Sequence, residues 1–433
     1  MMDLTHEQRP ADAIRAEDAT RRRTGDAPVL LIGSGSRGWR EYLLRAMSRS
    51  SEVWLFDSRE VTWEAPYLVG STRVDALDVE AALEAAAELD RRVGIAGVLS
   101  YDEFLVPTAA AVAASLGLPG GGVDAVQACR DKNLTRRAFA DAGVPQPGSY
   151  AVRTYEEAAE RAASLGYPVV VKPRALGGSI GVTLVADAEE LPAAYAATRG
   201  AELFALPTLE DGVLVESFAD GPEVSIDAAC FEGTVHPLFV ARKEVGFAPH
   251  FEEVGHVVSA RDPLLEDPAL LDVLQAAHTA LGLSTLITHT EIKLTSQGPK
   301  VIEVNARLGG GLLPYIAGMA TGIDCGAVAV ALAKGAPPAI EGVRELTARI
   351  DFLYPETDLL LDALKVTEEG LPADVREIMP LVEPGAALRL PPRGHVSSRY
   401  AAVITVADTP DACAAASRAA EPHVEILGTP LTD

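Results

Sequence analysis

The chain has 433 residues, of which 37 are basic and 62 are acidic, so its formal net charge is −25. This length predicts about two to four domains, each large enough to bury its own core. The contents of hydrophobic residues (48%) and charged residues (23%) are typical of a globular protein. The negative charge excludes nucleic-acid binding through a broad basic face, because phosphate contacts need clustered lysine and arginine.

The four cysteines include no C-x-x-C pair, which argues against a zinc site or a disulfide framework. Residues 1–27 are polar and lack hydrophobic periodicity, so we predict a loose N-terminal arm. This arm has no apolar core of the kind found in signal peptides. No segment reaches the roughly 18 consecutive apolar residues of a membrane span. We therefore expect a cytoplasmic protein with no membrane partner.

Apolar strand-like runs alternate with helix-like runs between residues 28 and 124. The predicted strands are Val29–Gly33, Val53–Asp57 and Ala96–Ser100, and a predicted helix follows each of the first two. Such alternation is typical of a parallel sheet wrapped by helices. The sequence therefore predicts an N-terminal, Rossmann-like α/β domain over 28–124.

A G-x-G-x-x-G pattern, Gly33, Gly35 and Gly38, follows the first predicted strand, and Asp57 ends the next one. This spacing fits a dinucleotide-binding turn in which the acid binds a ribose. It fits equally a tight glycine turn with no ligand. We favour the second interpretation because a later segment supplies a competing phosphate site.

That later segment begins with the apolar strand PVVVKP, which carries Lys172 at its end and is followed by Gly177, Gly178 and Ser179. Glycines allow a backbone to fold closely around an anion and direct N–H groups at it. A lysine supplies point charge for phosphate oxygens. The segment predicts a phosphate-binding loop, although an ordinary glycine hairpin with a surface lysine has the same local pattern.

A second constellation lies in the two predicted strands LITHTEIKLT and KVIEVNAR, joined by the turn SQGP. Side chains alternate along a strand, so Glu303 and Asn305 share one face, and pairing of the strands brings Glu291 beside them. Carboxylate and amide oxygens suit Mg²⁺. Arg307 continues the same parity and is expected beside the metal, where it can neutralise a phosphoryl group. The alternative is a solvated polar face of a hairpin.

The motifs occur in the order Asp131-Lys132-x-x-x-Arg136, VVVKPRALGGSIGV, VESFADGPEVS, HTEIK and EVNARLGGG. This order resembles the ATP-grasp carboxylate–amine ligases, and especially the L-amino acid ligases that make dipeptides. The resemblance implies an α/β fold that is α+β in part: an N-terminal Rossmann-like domain, an ATP-grasp domain over 125–340 and a C-terminal mixed domain over 341–433.

The resemblance also implies roles for individual residues. Those that bind ATP are Lys132, Lys172, Gly177, Gly178, Ser179, Glu216, Ser217, Phe218 and Glu223, with Glu216 and the following backbone at the adenine and Glu223 at the ribose. Those that hold magnesium are Glu291, Glu303 and Asn305. Those that contact the substrate are Glu253, His256, Arg307, Gly309 and Gly310. Arg307, Lys172 and Gly310 are the expected catalytic residues, with the backbone N–H groups of 309–311 holding the oxyanion. His289 and His236 are interpreted as packing residues.

The implied reaction joins the carboxylate of one amino acid to the amine of another amino acid or small molecule through an acyl phosphate, releasing ADP and phosphate. ATP and two Mg²⁺ ions, replaceable by Mn²⁺, are the expected cofactors, and the expected assembly is a homodimer. Three alternatives stay open at this point. They are ligation to a natural-product scaffold or carrier protein, biotin carboxylase-like chemistry, and a NAD-binding or nucleotide-sensing protein.

Overall fold

A computed structural model describes residues 27–201 and 212–431. Apart from Ala27, the predicted N-terminal arm lies outside this described part. The chain divides into two compact units, one of residues 1–123 with 326–339 and one of residues 124–325 with 340–433. The domain boundaries after residues 27, 124 and 340 stay predictions.

The first unit contains a four-stranded parallel sheet with the strand order β3-β2-β1-β4. Its strands are β1 (Val29–Ile32), β2 (Val53–Asp57), β3 (Gly70–Arg73) and β4 (Gly97–Leu99). Its helices include α1 (Arg37–Ser50), α2 (Val79–Val93) and α3 (Val106–Ser115). The predicted parallel sheet is confirmed, and its three predicted strands correspond to β1, β2 and β4.

Strand β3 was not predicted, because its sequence GSTR has no apolar alternation. It is held by its neighbour: the Trp54 indole N–H donates to the Thr72 hydroxyl at 3.0 Å. Gly70 leaves room for the same indole, since a Cβ at that position would lie 2.3 Å from the ring. A polar edge strand of this kind depends on a tertiary contact that the sequence pattern does not reveal.

The helices that follow along the chain are α4 (Val123–Arg130), α5 (Lys132–Ala142), α6 (Tyr155–Leu165), α7 (Leu191–Arg199), α8 (Pro268–Leu281), α9 (Leu313–Thr321), α10 (Cys325–Ala333) and α11 (Pro410–Ala420). All but α10 belong entirely or mainly to the second unit. No single helix of residues 27–201 and 212–431 is long and apolar enough to cross a membrane, and α9 with α10 reaches that length only as a broken pair.

The second unit contains two sheets in its first half. A four-stranded antiparallel sheet has the order β5-β8-β6-β7, with β5 (Ser149–Val152), β6 (Val169–Pro173), β7 (Thr183–Val185) and β8 (Val213–Ser217). The long strands β9 (Glu223–Phe231), β10 (Thr234–Gly246), β11 (Glu252–Ser259), β12 (Leu286–Thr295) and β13 (Gly298–Asn305) form most of a larger sheet. The predicted β12–β13 hairpin is confirmed, and β9 and β10 form a second antiparallel hairpin.

The remaining strands are β14 (Thr347–Leu353), β15 (Leu359–Val366), β16 (Val375–Pro380), β17 (Ala387–Leu388), β18 (Ala401–Ala407) and β19 (Val424–Pro430). Strands β14, β18 and β16 extend the larger sheet, whose order is β13-β12-β9-β10-β11-β14-β18-β16, while β17-β15-β19 form a separate sheet. One parallel sheet together with antiparallel sheets confirms the predicted mixed α/β and α+β class.

The larger sheet has an apolar face and a polar face because side chains alternate along each strand. On β9 the residues Val224 and Ile226 belong to a core that includes Leu270, Leu274 and Leu281 of α8. The three α8 residues follow helical spacing on one side of the helix. The intervening residues of β9 therefore occupy the opposite face of the sheet, where the candidate site lies.

Candidate functional site

A cleft of about 750 Å³ lies in the second unit between the glycine loop and the polar face of the larger sheet. It brings together most of the residues predicted from the sequence. Those that line it are Lys132, Lys172, Gly177, Gly178, Ser179, Glu216, Ser217, Phe218, Glu223, Glu253, Glu291 and Glu303. Residues more than 170 positions apart in the chain thus face one space.

Strand register explains how the acids meet. Glu291 of β12 is the direct partner of Glu303 on β13, and on its other side it is the partner of Ser225 on β9. Lys293 is likewise the partner of Glu223. Directly opposite residues in an antiparallel pair project on the same side of the sheet, with Cβ atoms about 5 Å apart. The expected convergence of the two carboxylates is therefore observed.

Buried ion pairs hold the lysines beside the glycine loop. Lys132 Nζ lies 2.8 Å from Glu303 Oε1 and donates to the Leu176 carbonyl at 2.7 Å. Lys172 Nζ lies 2.6 Å from Glu216 Oε2. An ammonium has three N–H donors, so one such pair leaves donors for a phosphate.

Glu216 is also bound by Arg136, whose Nε donates to Oε1 at 2.7 Å. Burial alone would raise the pKa of this carboxyl, but the adjacent Arg136 and Lys172 cations outweigh burial and lower it to about 2. The Glu216 carboxylate thus anchors two cations. Contact of this residue and the following backbone with adenine stays a prediction.

The structure adds a buried cation that the sequence analysis did not single out. Lys243 of β10 lies 2.5 Å from Glu223, 2.9 Å from Glu253 and 3.2 Å from Glu291. Burial would lower the pKa of this ammonium, but the three carboxylates raise it well above its ordinary range. Its place on the polar face could have been inferred from the strand parity of β10 once the pairing with β9 was known.

The oxygen donors predicted to hold magnesium fit that ion in chemistry, since Glu291 and Glu303 are adjacent and Asn305 follows on β13. Each carboxylate lies beside a lysine: Glu303 is 2.8 Å from Lys132 and Glu291 is 3.2 Å from Lys243. Burial opposes ionisation of Glu291, but Lys243 and His289 hold its pKa well below the usual range. Within the described residues no group of three or more His, Cys, Asp or Glu side chains is preassembled for a metal.

The predicted substrate residues Glu253 and His256 both belong to β11. Glu253 Oε2 is 3.6 Å from Arg399, whose guanidinium stacks on the Phe352 ring at 3.9 Å. His256 is almost fully buried, and its Nε2 lies 3.6 Å from Glu253 Oε2, while neither ring nitrogen has a hydrogen-bond partner among the described residues. A buried polar group without a partner costs free energy unless something binds it. This observation supports the predicted contact of His256 with a ligand.

The parity argument for Arg307 and the oxyanion role of the Gly309 N–H need correction. Strand β13 ends at Asn305, so strand parity does not extend to Arg307, which donates to the Leu308 carbonyl at 2.7 Å. The Gly309 N–H donates to Asp227 Oδ2 at 2.8 Å and is therefore not free for an oxyanion. The role expected for Gly310 stays a prediction.

The interpretation of His289 as a packing residue is also wrong. Its Nδ1 lies 2.6 Å from Asp227 Oδ1, and its Nε2 lies 3.6 Å from Glu291 Oε1. Burial disfavours a charged ring, but the two carboxylates outweigh burial and raise the pKa of His289 to about 9. The ring is thus an internal cation between two acids.

The stretch of residues 28–123, which contains the G-x-G-x-x-G turn, includes no lysine. Asp57 accepts hydrogen bonds from the Ser34 N–H at 3.0 Å, from the Ser34 hydroxyl at 2.8 Å and from the Arg59 Nε at 3.1 Å. The carboxylate that would bind a ribose in a dinucleotide site is already bound by its own chain. This observation agrees with the interpretation of the segment as a tight glycine turn that binds no ligand.

Comparisons with known proteins agree with this geometry. Residues 165–314 match the ATP-grasp domain family. The chain is 30% identical over 262 residues to alanine–anticapsin ligase of Bacillus subtilis, a match that covers 55% of this chain and 54% of the relative. It is 32% identical over 203 residues to D-alanine–D-alanine ligase of Gloeobacter violaceus, covering 44% of this chain and 63% of the relative.

Among solved structures, the L-amino acid ligase from Bacillus licheniformis superposes with a TM-score of 0.76 and 25% identity, over 94% of this chain and all of that one. The predicted ATP-grasp architecture and carboxylate–amine ligase activity are confirmed, in preference to the NAD-binding and carboxylase alternatives. ATP-grasp ligases use ATP with Mg²⁺. The chain contains an ATP-grasp domain over residues 165–314 and is an ATP-dependent carboxylate–amine ligase similar to the L-amino acid ligases.

Proposed function

We propose that this ligase joins the carboxylate of one amino acid to the amine of a second amino acid or a small amine, through an acyl phosphate. The observation that carries the proposal is the single cleft lined by the glycine loop, by Lys132 and Lys172, and by Glu291 and Glu303. Such a cleft offers cations for a triphosphate beside oxygen donors for its metal. The cytoplasmic location expected from the sequence and the homodimer expected from the resemblance both stay predictions.

The first step transfers a phosphoryl group. A carboxylate oxygen of the first amino acid attacks the γ-phosphorus of ATP, the bond from that phosphorus to the β–γ bridging oxygen breaks, and ADP leaves. Lys172 and Lys132 bind phosphate oxygens, on which negative charge accumulates during the transfer. Glu291, Glu303 and Asn305 would hold magnesium, two ions on this proposal, which neutralises phosphate charge when bound.

The second step forms the amide. The neutral amine of the acceptor attacks the acyl carbon, the bond from that carbon to the phosphate oxygen breaks, and the proton lost by the amine leaves with phosphate or solvent. In this proposal Glu253 binds the ammonium group of the first amino acid, and Arg307 binds a developing oxyanion or a carboxylate. The loop of residues 177–181 would exclude water that could hydrolyse the acyl phosphate.

One relative suggests which acid to test first. The name alanine–anticapsin ligase pairs alanine with a partner outside the standard amino acids. We therefore propose alanine as the first acid, with acceptors drawn from standard amino acids and from other amines. Ligation to a larger natural-product scaffold is the second candidate, since the same name carries an unusual acceptor.

The test incubates the purified protein with ATP, Mg²⁺ and pools of amino acids and amines. ADP, AMP, phosphate, pyrophosphate and new masses are then measured. The proposal expects ADP and phosphate in equal amounts, together with a condensed product. AMP with pyrophosphate would contradict the acyl-phosphate route, and ADP formation without any condensed product would contradict the ligation of these acceptors.

A further inference from the structure

Asp227 is a fully buried carboxylate on the polar face of β9 that no step of the proposed reaction uses. It binds two separate parts of the site. Its Oδ1 lies 2.6 Å from Nδ1 of His289, the residue directly opposite on β12. Its Oδ2 accepts the backbone N–H of Gly309 at 2.8 Å. The Asp227 side chain therefore connects β12, through His289, with the loop that follows β13.

The contact with Gly309 requires the absence of a side chain. A Cβ on this residue would lie 2.8 Å from His289 Nδ1 and 3.0 Å from Asp227 Oδ1. These distances are shorter than ordinary van der Waals contacts, so the loop backbone is seated directly on the carboxylate–imidazole pair. The same loop carries Arg307 and Gly310, the residues proposed to act on the acyl group.

The contact with His289 extends to the metal ligands. His289 and Glu291 project on the same side of β12, and Nε2 of the ring lies 3.6 Å from Glu291 Oε1. Glu291 lines the cleft, whereas Asp227 has no exposed surface. The His289 ring thus lies between the buried Asp227 carboxylate and the Glu291 carboxylate, and it can fix the position of Glu291 in the cleft.

We infer that Asp227, acting through His289 and through the Gly309 N–H, is a positioning residue that fixes Glu291 and the 307–311 loop relative to one another. The inference rests on the proposed function, in which Glu291 holds metal and this loop holds the acyl group. On this inference Asp227 keeps the metal-binding carboxylate of Glu291 aligned with the loop that holds the acyl group of the substrate. Partners that orient metal ligands change metal affinity or activity by about 10–100-fold when they are mutated.

The test compares Asp227→Asn and His289→Gln with wild type and with His278→Gln. His278 is a matched control because it is a fully buried histidine that contacts the Thr288 hydroxyl at 2.8 Å, one residue before His289. It is on α8, on the opposite face of the sheet from the cleft. Circular dichroism and thermal melting establish that each variant folds.

Two measurements decide the matter. Binding of Mn²⁺ to the protein with ADP, followed by electron paramagnetic resonance, is expected to weaken by about 10–100-fold in Asp227→Asn and in His289→Gln. The amount of condensed product per ADP is expected to fall, because a misplaced acyl phosphate is lost to water. His278→Gln is expected to change neither quantity, whatever its effect on melting.

Wild-type Mn²⁺ affinity and product yield in both site variants would overturn the inference. If Asp227→Asn does not fold, His289→Gln decides by the same two measurements. The Mn²⁺ measurement needs only nucleotide and metal. If the wild-type protein forms no condensed product, the proposed function fails, and Mn²⁺ binding still decides whether Asp227 positions the metal ligands.

Discussion

Two glycine-rich turns follow apolar strands in this chain, and they differ in what their acids bind. The turn at 33–38 in the first unit is accompanied by Asp57, and the loop at 177–181 in the second unit is accompanied by Glu216. The pKa of each acid is lowered to about 2 despite burial, that of Asp57 by hydrogen bonds from Arg59 and Ser34 and that of Glu216 by the charges of Arg136 and Lys172. Asp57 binds Arg59, whose side chain is 56% exposed, whereas Glu216 binds Arg136 and Lys172, which are almost fully buried.

On the proposed function the second loop binds phosphate, and the difference between the two loops indicates what such a loop needs. Both loops have residues with positive φ, including Gly33, Gly35, Gly178 and Gly181. The second loop lies in a cleft that lysines line, and Lys172 has donors beyond its pair with Glu216. In the first turn, Asp57, the Ser34 hydroxyl and the Arg59 guanidinium form hydrogen bonds with one another.

The largest expected effect is on stability, from replacing the buried acid. Glu216→Gln leaves the Arg136 and Lys172 cations buried without their carboxylate, so we expect the free energy of unfolding to fall by about 3–5 kcal/mol. The matched change Asp57→Asn should cost only about 1 kcal/mol, because solvent screens the half-exposed Arg59. Urea unfolding at neutral pH measures both. Equal losses in the two variants would contradict the contrast between the two turns.

Removing the cation of the second loop should abolish turnover. For Lys172→Ala we expect the rate of ADP release to fall by about 10²-fold or more, because a charge aimed at the transferred phosphoryl group is lost. Glu303→Ala should have a similar effect through the metal. Arg59→Ala in the first turn is the control and should leave ADP release unchanged. Normal turnover in Lys172→Ala or Glu303→Ala would defeat the site assignment.

The sequence predicted those features of the site that depend on local order. The β12–β13 hairpin brought Glu291 and Glu303 side by side because alternation and a short turn determine which residues pair. The same argument does not apply to Arg307, because β13 ends at Asn305 and the alternation of side chains along a strand ends with it.

Residues whose roles depend on pairing between distant strands could not be found in this way. Lys243 meets Glu223, Glu253 and Glu291 only because β10 and β12 both pair with β9. His289 looked like a core residue until its strand was placed opposite Asp227. Which strands pair with one another is determined by the tertiary fold. The local sequence around a lysine or histidine in an apolar strand therefore does not reveal which residues it will contact.

A smaller effect concerns the pH dependence of the first turn. Because the pKa of Asp57 falls from its ordinary value of 3.8 to about 2 on folding, its stabilisation is present above pH 3.8 and is lost as the pH falls towards 2. The stability difference between wild type and Asp57→Asn should therefore shrink from about 1 kcal/mol at pH 5 to near zero at pH 2. Urea titrations across this range measure the difference. A difference that is constant with pH would show that the carboxylate charge contributes nothing.

The smallest expected effect comes from the last glycine of the first turn. In a dinucleotide site this position allows close packing of the helix, yet a Cβ on Gly38 would meet no atom within 4 Å among the described residues. Gly38 lies in the first turn of α1, where alanine restricts the unfolded chain more than glycine does. We expect Gly38→Ala to raise the free energy of unfolding by about 0.5–1 kcal/mol and to leave ADP release unchanged. Loss of nucleotide turnover in this variant would mean that the first turn binds a ligand, and the contrast between the two turns would then be wrong.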